Sequence, residues 1–203
     1  MLTLGINTAG QTNAVCLLEK KRVIAESSWH AEADQLEKVL PAIERALKKS
    51  ARSWKQLKRI IVVRGHGSFN AVRVGVTIAN TLAYILGIPL CSIDTVQMWE
   101  SRKTNPRAQL VVHAGSQNVW YRGTIIDITT IKDAGPFYGD VTAREFEKNI
   151  LRVKKNWLSE KTLRSFGEGL LLMSKTSMQK SKTVRPFHLL PPTISPRAYQ
   201  NIV

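Results

Sequence analysis

The sequence has few acidic residues and few cysteines for its length, and each scarcity excludes a class of protein. Its 203 residues include 15 Asp and Glu against 30 Lys and Arg, which gives a net charge of +15 at pH 7. The two cysteines, Cys16 and Cys91, lie in apolar strand-like runs and match neither a disulfide framework nor a zinc site. We therefore expect a reduced, cytoplasmic protein.

Histidines are also few and far apart, and they include no HxxxH metal pair. We interpret His30, His66, His113 and His188 as surface or packing residues rather than as ligands. The sequence has no Walker motif and no G-x-S-x-G nucleophile elbow. It therefore predicts no catalytic residue, no cofactor and no metal site.

A long run of uncharged residues, 74–93, is the one candidate for a membrane span. Polar residues, Gly87 and Pro89 interrupt it, so we interpret it as a buried helix followed by a strand. No signal peptide is evident, because Met1 leads directly into a strand-like run with no basic region before it. We expect no membrane partner.

The chain is organised around residues 60–89, IIVVRGHGSFNAVRVGVTIANTLAYILGIP. Four β-favouring residues run into a glycine turn, and a long apolar segment with helical spacing follows. The predicted structural residues of this turn and helix are Gly65, Gly67, Ser68 and Gly75. Positive φ at the first two glycines and capping of the helix by the serine would form the turn.

A helix N-terminus after a glycine turn can also bind an anion. A dinucleotide-binding fingerprint would need a third glycine where Asn70 stands, and a P-loop would need Gly-Lys-Ser/Thr. A structural turn or a partner surface is therefore the favoured interpretation, with phosphate binding as the alternative.

The residues from Arg64 to Gly75, RGHGSFNAVRVG, resemble the signature GRGPGSFTGLRIG of the TsaB (YeaZ) family, and ANTLAYILGIP further on resembles its A.GLA..LGIP. His66 stands for the usual proline, Asn70 for threonine and Ala71 for glycine. Members of that family are bacterial partners of TsaD, which adds a threonylcarbamoyl group to adenosine in tRNA. The resemblance implies an α/β protein of two lobes with the actin-like or sugar-kinase ATPase (RNase H-like) fold, in which helices flank mixed sheets.

Residues 2–8, 14–19 and 23–28 are predicted to form three successive strands. In ATPases of the resembled fold, the first hairpin carries an Asp that holds magnesium-bound waters and a glycine turn that receives phosphate. Here it reads GINTAG, so the amide of Asn7 replaces the carboxylate. His113 likewise stands where relatives have an acidic residue. Both changes predict that the nucleotide chemistry has been lost.

The remaining segments alternate between helical and strand patterns. Residues 34–49 form an amphipathic helix bent at Pro41, residues 89–93 a strand, 94–102 a helix, and 109–114, 118–121 and 123–131 a second sheet. The polar segment 104–107 predicts a boundary between an N-terminal lobe, 1–103, and a smaller basic lobe, 104–203. Residues 184–203 are expected to return to the core.

By the resemblance, helices 34–49 and 68–86 make the contact with TsaD. The candidate contact residues are Leu36, Leu40 and Ile43 on the first helix, and Phe69, Val72, Arg73, Val76 and Asn80 on the second. The alternative is that the apolar members face their own sheet. Alone, the protein would cover the same patch by forming a homodimer. TsaE is a further partner that the resemblance implies.

The positive charge is uneven, at +10 for residues 101–203 and +5 for residues 1–100. Such an excess favours a polyanionic partner such as tRNA. The candidate RNA contacts are Lys154 and Lys155, which would meet phosphates, and Trp157, which would stack on a base. The alternative for this charge run is a solvated surface.

Three hypotheses follow from these patterns. The leading one is a non-catalytic scaffold that binds TsaD. The second is a divergent enzyme of the same fold, either ATP-binding or metallopeptidase-like, and it would need acidic residues near the first hairpin. The third is a basic tRNA-binding module.

Overall fold

The chain folds around two β-sheets. The computed structural model describes residues 1–31, 35–115, 118–141, 155–174, 178 and 180–188. In that part of the chain the strands are β1 (Leu2–Asn7), β2 (Thr12–Glu19), β3 (Arg22–His30), β4 (Leu57–Val63), β5 (Leu90–Ile93), β6 (Gln109–His113), β7 (Asn118–Tyr121), β8 (Thr124–Asp127), β9 (Phe137–Asp140) and β10 (Lys180–Ser181). The α-helices are α1 (Gln35–Lys49), α2 (Phe69–Leu86), α3 (Thr95–Arg102) and α4 (Phe166–Met173), and short 3-10 helices lie at Trp54–Gln56, Ile128–Thr130 and Glu160–Thr162.

The first sheet has the strand order β10-β5-β4-β1-β2-β3. The strands β1, β2 and β3 form the antiparallel meander that the sequence predicts, and β4 runs parallel to both β1 and β5. The last four residues of β4, 60–63, are completely buried, as expected for a central parallel strand with helices on both faces.

The second sheet has the strand order β8-β7-β6-β9. Its strand β9 was not predicted from the sequence: it runs parallel to β6, and parallel pairing between distant segments leaves no hairpin signature. The predicted strand over 123–131 is shorter than expected. It ends at Asp127, whose carboxylate accepts a hydrogen bond from the Thr129 N–H and begins a 3-10 turn.

Two pairs of helices cover the first sheet. Helices α1 and α2 contact each other on one face, and α3 and α4 contact each other on the other. Among the described residues, α2 is the one helix long and apolar enough to cross a membrane, but a full stripe of its residues is buried against the chain's own core. It is therefore the core helix that the sequence predicts.

Three of the predicted partner-binding residues belong to this core. Ile43 of α1 and Val72 of α2 are completely buried, and Val76 is 2% exposed. The expectation that they lie on an exposed surface is wrong. Helical spacing identifies an apolar face, but it does not say whether that face meets the sheet or another protein.

After the second sheet the chain returns to the first. Helix α4 packs on β2 and β3, β10 pairs with β5, and the Phe187 N–H donates to the Arg64 carbonyl at 2.7 Å. A boundary at 103/104 remains our proposal for the two lobes. Because of the contacts with β2, β3, β5 and Arg64, helix α4 and residues 180–188 pack with the N-terminal lobe although they follow this boundary in sequence. Residues 189–203 lie outside the described part.

Glycines in the turn between β4 and α2 allow carbonyl groups of other segments to come close to the turn, and one of them also allows an unusual backbone conformation. Gly65 has φ +113°, and a side chain there would also collide with the Phe187 carbonyl. Gly67, expected to share a positive φ, has none; a side chain there would instead collide with the Ala9 carbonyl. Ser68 stands at the N-cap position without a side-chain hydrogen bond, so its predicted capping role is wrong.

The same turn buries His66. This residue is 4% exposed, and neither ring nitrogen has a hydrogen-bond partner among the described residues. Burial lowers the pKa of His66, and the nearby carboxylate of Asp94 opposes that shift in part. The imidazole is therefore held neutral, with its ring edge-on to Phe187 at 6.3 Å.

Val76→Arg tests the assignment of this residue to the core. A buried guanidinium without a partner should lower the free energy of unfolding by roughly 3–5 kcal/mol, measured by urea denaturation. Thr77→Arg, at the adjacent exposed position of α2, is the matched control and should change stability by less than about 0.5 kcal/mol. Equal stability of the two variants would contradict the burial of Val76.

His66→Leu tests the burial of the neutral imidazole. Because the pKa of His66 is lower in the folded chain, the unfolded chain takes up the proton first, and stability is lost as pH falls below about 6.5. The stability of the variant relative to wild type should therefore rise on acidification, by up to about 1.4 kcal/mol per pH unit. Urea unfolding between about pH 5 and pH 8 measures this difference, and parallel stability curves would exclude the linkage.

Candidate functional site

The candidate site is the turn of the first hairpin, residues 8–11, which joins β1 to β2. Thr8 is completely buried and its hydroxyl donates to the Ala71 carbonyl of α2 at 2.6 Å. Gly75 lies directly opposite, where any side chain would collide with the Thr8 hydroxyl. The turn is thus fixed on α2, and the absence of a side chain at Gly75 makes this contact possible.

The side chain of Asn7 is fully engaged inside the hairpin. Its Oδ1 accepts from the Ala9 N–H at 3.0 Å, and its Nδ2 donates to the Thr12 carbonyl at 3.2 Å. The residue is buried, and its amide, which carries no charge, is turned into the hairpin. A hard cation prefers charged oxygen ligands, and this position supplies none.

A carboxylate from the second sheet lies on the turn. Asp140, the last residue of β9, accepts from the Gln11 backbone N–H at 3.1 Å and from the Gln11 side-chain amide at 3.1 Å. Its Oδ2 is so close to Gly10 that a side chain there would collide with it. The protein's own carboxylate therefore occupies the backbone donor that a bound anion would use.

The surroundings of Asp140 shift the pKa of its carboxyl group. Burial raises the pKa of Asp140, while the hydrogen bonds from Gln11 and the nearby His113 lower it in part. His113 ends β6, the strand that pairs with β9, so the second sheet places the two residues next to each other. The sequence analysis noted the loss of an acid at His113 but missed the acid that β9 supplies.

An arginine and a glutamate lie at the edge of this site. Glu160 accepts a hydrogen bond of 3.4 Å from the Thr12 hydroxyl, and its Oε1 is 4.0 Å from the Arg102 guanidinium. Burial lowers the pKa of Arg102, and Glu160 opposes this shift. The Arg102 guanidinium also donates to the Arg164 carbonyl and stacks over Trp99, so it is held by the chain itself.

The chain's own C-terminal segment, residues 183–188, covers part of the predicted partner surface. Asn80 donates to the Val184 carbonyl and accepts from the Val184 N–H, both at 2.9 Å. The Phe69 ring packs against His188 at 4.6 Å, and the exposed Arg73 lies 5.0 Å above that same phenyl ring. Asn80 is therefore used within the monomer, which argues against its predicted role as a partner contact.

The exposed apolar residues of α1 and α2 lie elsewhere. Tyr84 is 88% exposed and Ile85 70%, and neither was among the predicted contact residues. Tyr84 extends the exposed polar stripe of Arg73, Thr77 and Thr81 along α2, so helical spacing could have identified it. Leu40, a predicted contact on α1, is exposed as expected of a surface residue. The side chain of Leu36 lies outside the described part.

The predicted RNA contacts are not brought together as a stacking platform. Lys155 is exposed, but Trp157 is half-buried against the small core of the second sheet and forms a β-bridge with Phe137. Lys154 lies outside the described residues. Trp157 is thus a packing residue, and the predicted stacking on a base is not supported by its place in the fold.

No metal centre is present among the residues that the structure describes, where no three His, Cys, Asp or Glu side chains form a group that could hold an ion. Both cysteines are buried and free, and burial raises the pKa of each thiol. The described part of the chain therefore offers no ligand set and no reactive thiolate.

Comparison with known sequences gives a consistent assignment. A sequence model of the family described as "TsaD: tRNA N6-adenosine threonylcarbamoyltransferase" matches residues 29–166, about two thirds of the chain. The tRNA threonylcarbamoyladenosine biosynthesis protein TsaB of Bacillus subtilis (strain 168) is 33% identical over 97 residues, which cover 48% of this chain and 42% of that protein. The chain thus matches less than half the length of that relative.

A second relative aligns over a longer stretch. The protein of the same name from Buchnera aphidicola subsp. Schizaphis graminum is 25% identical over 143 residues, or 68% of each chain. The structure of YeaZ from Pseudomonas aeruginosa superposes with a TM-score of 0.70 at 17% identity, covering 93% of this chain and 99% of that one, which shows a shared fold. The predicted α/β fold class, with mixed sheets flanked by helices, is confirmed. The chain belongs to the family that the sequence model describes, and within it to the TsaB (YeaZ) proteins.

Proposed function

We propose that this chain is a non-catalytic subunit that binds a TsaD relative in the cytoplasmic complex that makes threonylcarbamoyladenosine in tRNA. The observation that carries the proposal is the state of the first hairpin. In ATPases of this fold the hairpin handles magnesium and phosphate, whereas here Asn7 is neutral and engaged, and Asp140 lies on the turn. A nucleotide phosphate would meet a carboxylate where it needs a donor.

A docking surface on α1 and α2 supports the proposed partner role. Leu40, Tyr84 and Ile85 are large apolar side chains in contact with water on two helices that touch each other. Burying an isoleucine of this kind contributes about 1.5–3 kcal/mol, and tyrosine is enriched among the residues that dominate protein interfaces. We name this group of three the docking patch.

The docking patch revises the predicted contact residues. Ile43, Val72 and Val76 are core residues and are not part of it, and Asn80 holds the C-terminal segment. Phe69 and Arg73 lie at the opposite end of α2 from Tyr84, next to His188. We propose that the TsaD relative binds the patch, that a second copy of this chain covers it when the protein is alone, and that TsaE joins through TsaD.

Direct contact with tRNA is a second candidate function, because the chain carries a net charge of +15. Lys155 is exposed and available to phosphates. With Trp157 packed on the second sheet, the contact would be electrostatic, with an affinity that falls steeply with salt and shows little sequence preference.

Ile85→Arg and Tyr84→Arg should abolish pairing with the TsaD relative of the same genome. Each change places a charge at the centre of the proposed interface, and the affinity should fall by at least about tenfold, as for loss of 1.4 kcal/mol. Light scattering after size-exclusion chromatography of the mixed proteins measures the complex. Thr124→Arg, an exposed change in the second sheet, is the control and should pair normally.

Both patch variants should keep the wild-type urea midpoint, because the replaced side chains are exposed. Normal pairing by both variants would remove the docking patch from the proposal.

Calorimetry with ATP tests the lost nucleotide chemistry. Mg²⁺ should not strengthen ATP binding by the isolated chain, because Asn7 supplies no charged cation ligand and Asp140 occupies the turn of the first hairpin. Asn7→Asp restores a carboxylate but leaves Asp140 in place, so its ATP binding should likewise be independent of Mg²⁺. This variant should lose about 1 kcal/mol of stability, since the half-buried Thr12 carbonyl loses its donor. Tight magnesium-dependent ATP binding by the wild type would favour the enzyme hypothesis instead.

A further inference from the structure

A cavity of about 580 Å³ opens at the carboxyl ends of β4 and β5, and no residue of the first hairpin or of the docking patch lines it. These two strands are parallel neighbours, but the helices that follow them lie on opposite faces of the sheet. Helix α2 is on one face and α3 is on the other. Adjacent strands whose connections diverge in this way leave a crevice, which is the usual ligand position in open α/β sheets.

Two arginines line the cavity and give it its charge. Arg64 follows β4, and Arg185 comes from the returning C-terminal segment. Neither guanidinium makes an ion pair among the described residues, and the contact described for Arg64 is with the Phe187 ring at 5.5 Å. Two cations therefore line the same space, against one carboxylate, that of Asp94.

The one acidic residue of the lining, Asp94, is already engaged. Its carboxylate accepts from the Gln97 N–H at 2.8 Å as the N-cap of α3, and the Gln97 side chain returns a hydrogen bond to the Asp94 N–H. This reciprocal pair holds the carboxylate at the helix terminus. The balance of charge in the cavity remains positive.

The backbone around both arginines is fixed before any ligand binds. The Arg64 N–H donates to the Ile93 carbonyl at 2.9 Å, and its own carbonyl accepts from the Phe187 N–H at 2.7 Å. The residue before Arg185, Val184, is held by Asn80 through both its N–H and its carbonyl. Because these backbone groups are ordered in advance, ordering them would add little to the free-energy cost of ligand binding.

The remaining lining defines the chemical class of ligand. The hydroxyls of Ser92 and Thr183 supply further polar groups, while Ile93 and Met173 supply apolar surface. The Ser181 hydroxyl also lines the cavity but donates to the Thr183 carbonyl. Guanidinium forks and hydroxyls match the oxygens of a phosphate group. The volume exceeds that of a bare ion and lies in the range of small-molecule pockets, about 300–1,000 Å³.

We propose that this cavity is a binding site for a phosphate-bearing small molecule of mononucleotide size, whose phosphate lies between Arg64 and Arg185. The site differs from the ancestral nucleotide turn, which Asp140 occupies, and it does not depend on the proposed pairing with TsaD. It assigns a role to the arginine that begins the glycine turn and to the C-terminal segment that closes over it.

Calorimetry with AMP and with inorganic pyrophosphate, in about 150 mM NaCl, tests the site. The wild-type chain should bind at least one of the two saturably at a single site. Arg185→Gln and Arg64→Gln should each weaken that binding at least tenfold. The matched control is Arg107→Gln, an exposed arginine outside the cavity lining, which should bind as the wild type does.

Arg185 is exposed, so its replacement should leave the urea midpoint unchanged and keep the test informative even if Arg64→Gln is unstable. Succinate serves as the carboxylate probe and should bind at least tenfold more weakly than the phosphate probe. The proposal is overturned by the absence of saturable binding, by an equal loss in Arg107→Gln, or by succinate binding as tightly as the phosphate probe.

Discussion

The contact between the first hairpin and α2 is the constraint on which the rest of the structure depends. The Thr8 hydroxyl reaches the Ala71 carbonyl only because Gly75 has no side chain, and the neighbouring Gly67 lets the Ala9 carbonyl approach the turn before the helix. Two backbones thus meet at distances that a single methyl group would prevent. The hairpin is held rigidly, and its turn is presented to the second sheet in one orientation.

That orientation allows a residue of the second sheet to bind the turn. Asp140 reaches the Gln11 N–H from β9, so this hydrogen bond joins the two sheets. The Asn7 side chain is neutral, so no negative charge at that position repels the Asp140 carboxylate. Under the proposed function, this contact between the sheets takes the place of nucleotide binding at the turn.

Much of the first sheet could be predicted from the sequence because its signals are local. The meander of β1 to β3, the apolar end of β4 and the helix between Phe69 and Leu86 follow from alternation, helical spacing and terminal glycine. The buried side of the helix was not predicted correctly: Val76 is buried and Tyr84 exposed, although the polar stripe of Arg73, Thr77 and Thr81 marks the exposed side. Asp140 was missed because its importance arises from a contact 129 residues away in sequence.

The C-terminal segment has a consequence for the way the protein is made. Asn80 finds its partner in Val184, 104 residues later, and β10 reaches β5 across a similar interval. The ribosome must therefore synthesise the chain through residue 184 before Asn80 acquires this partner. Until then the nascent N-terminal lobe carries an unpaired sheet edge at β5, a state in which a chaperone would have the most to protect.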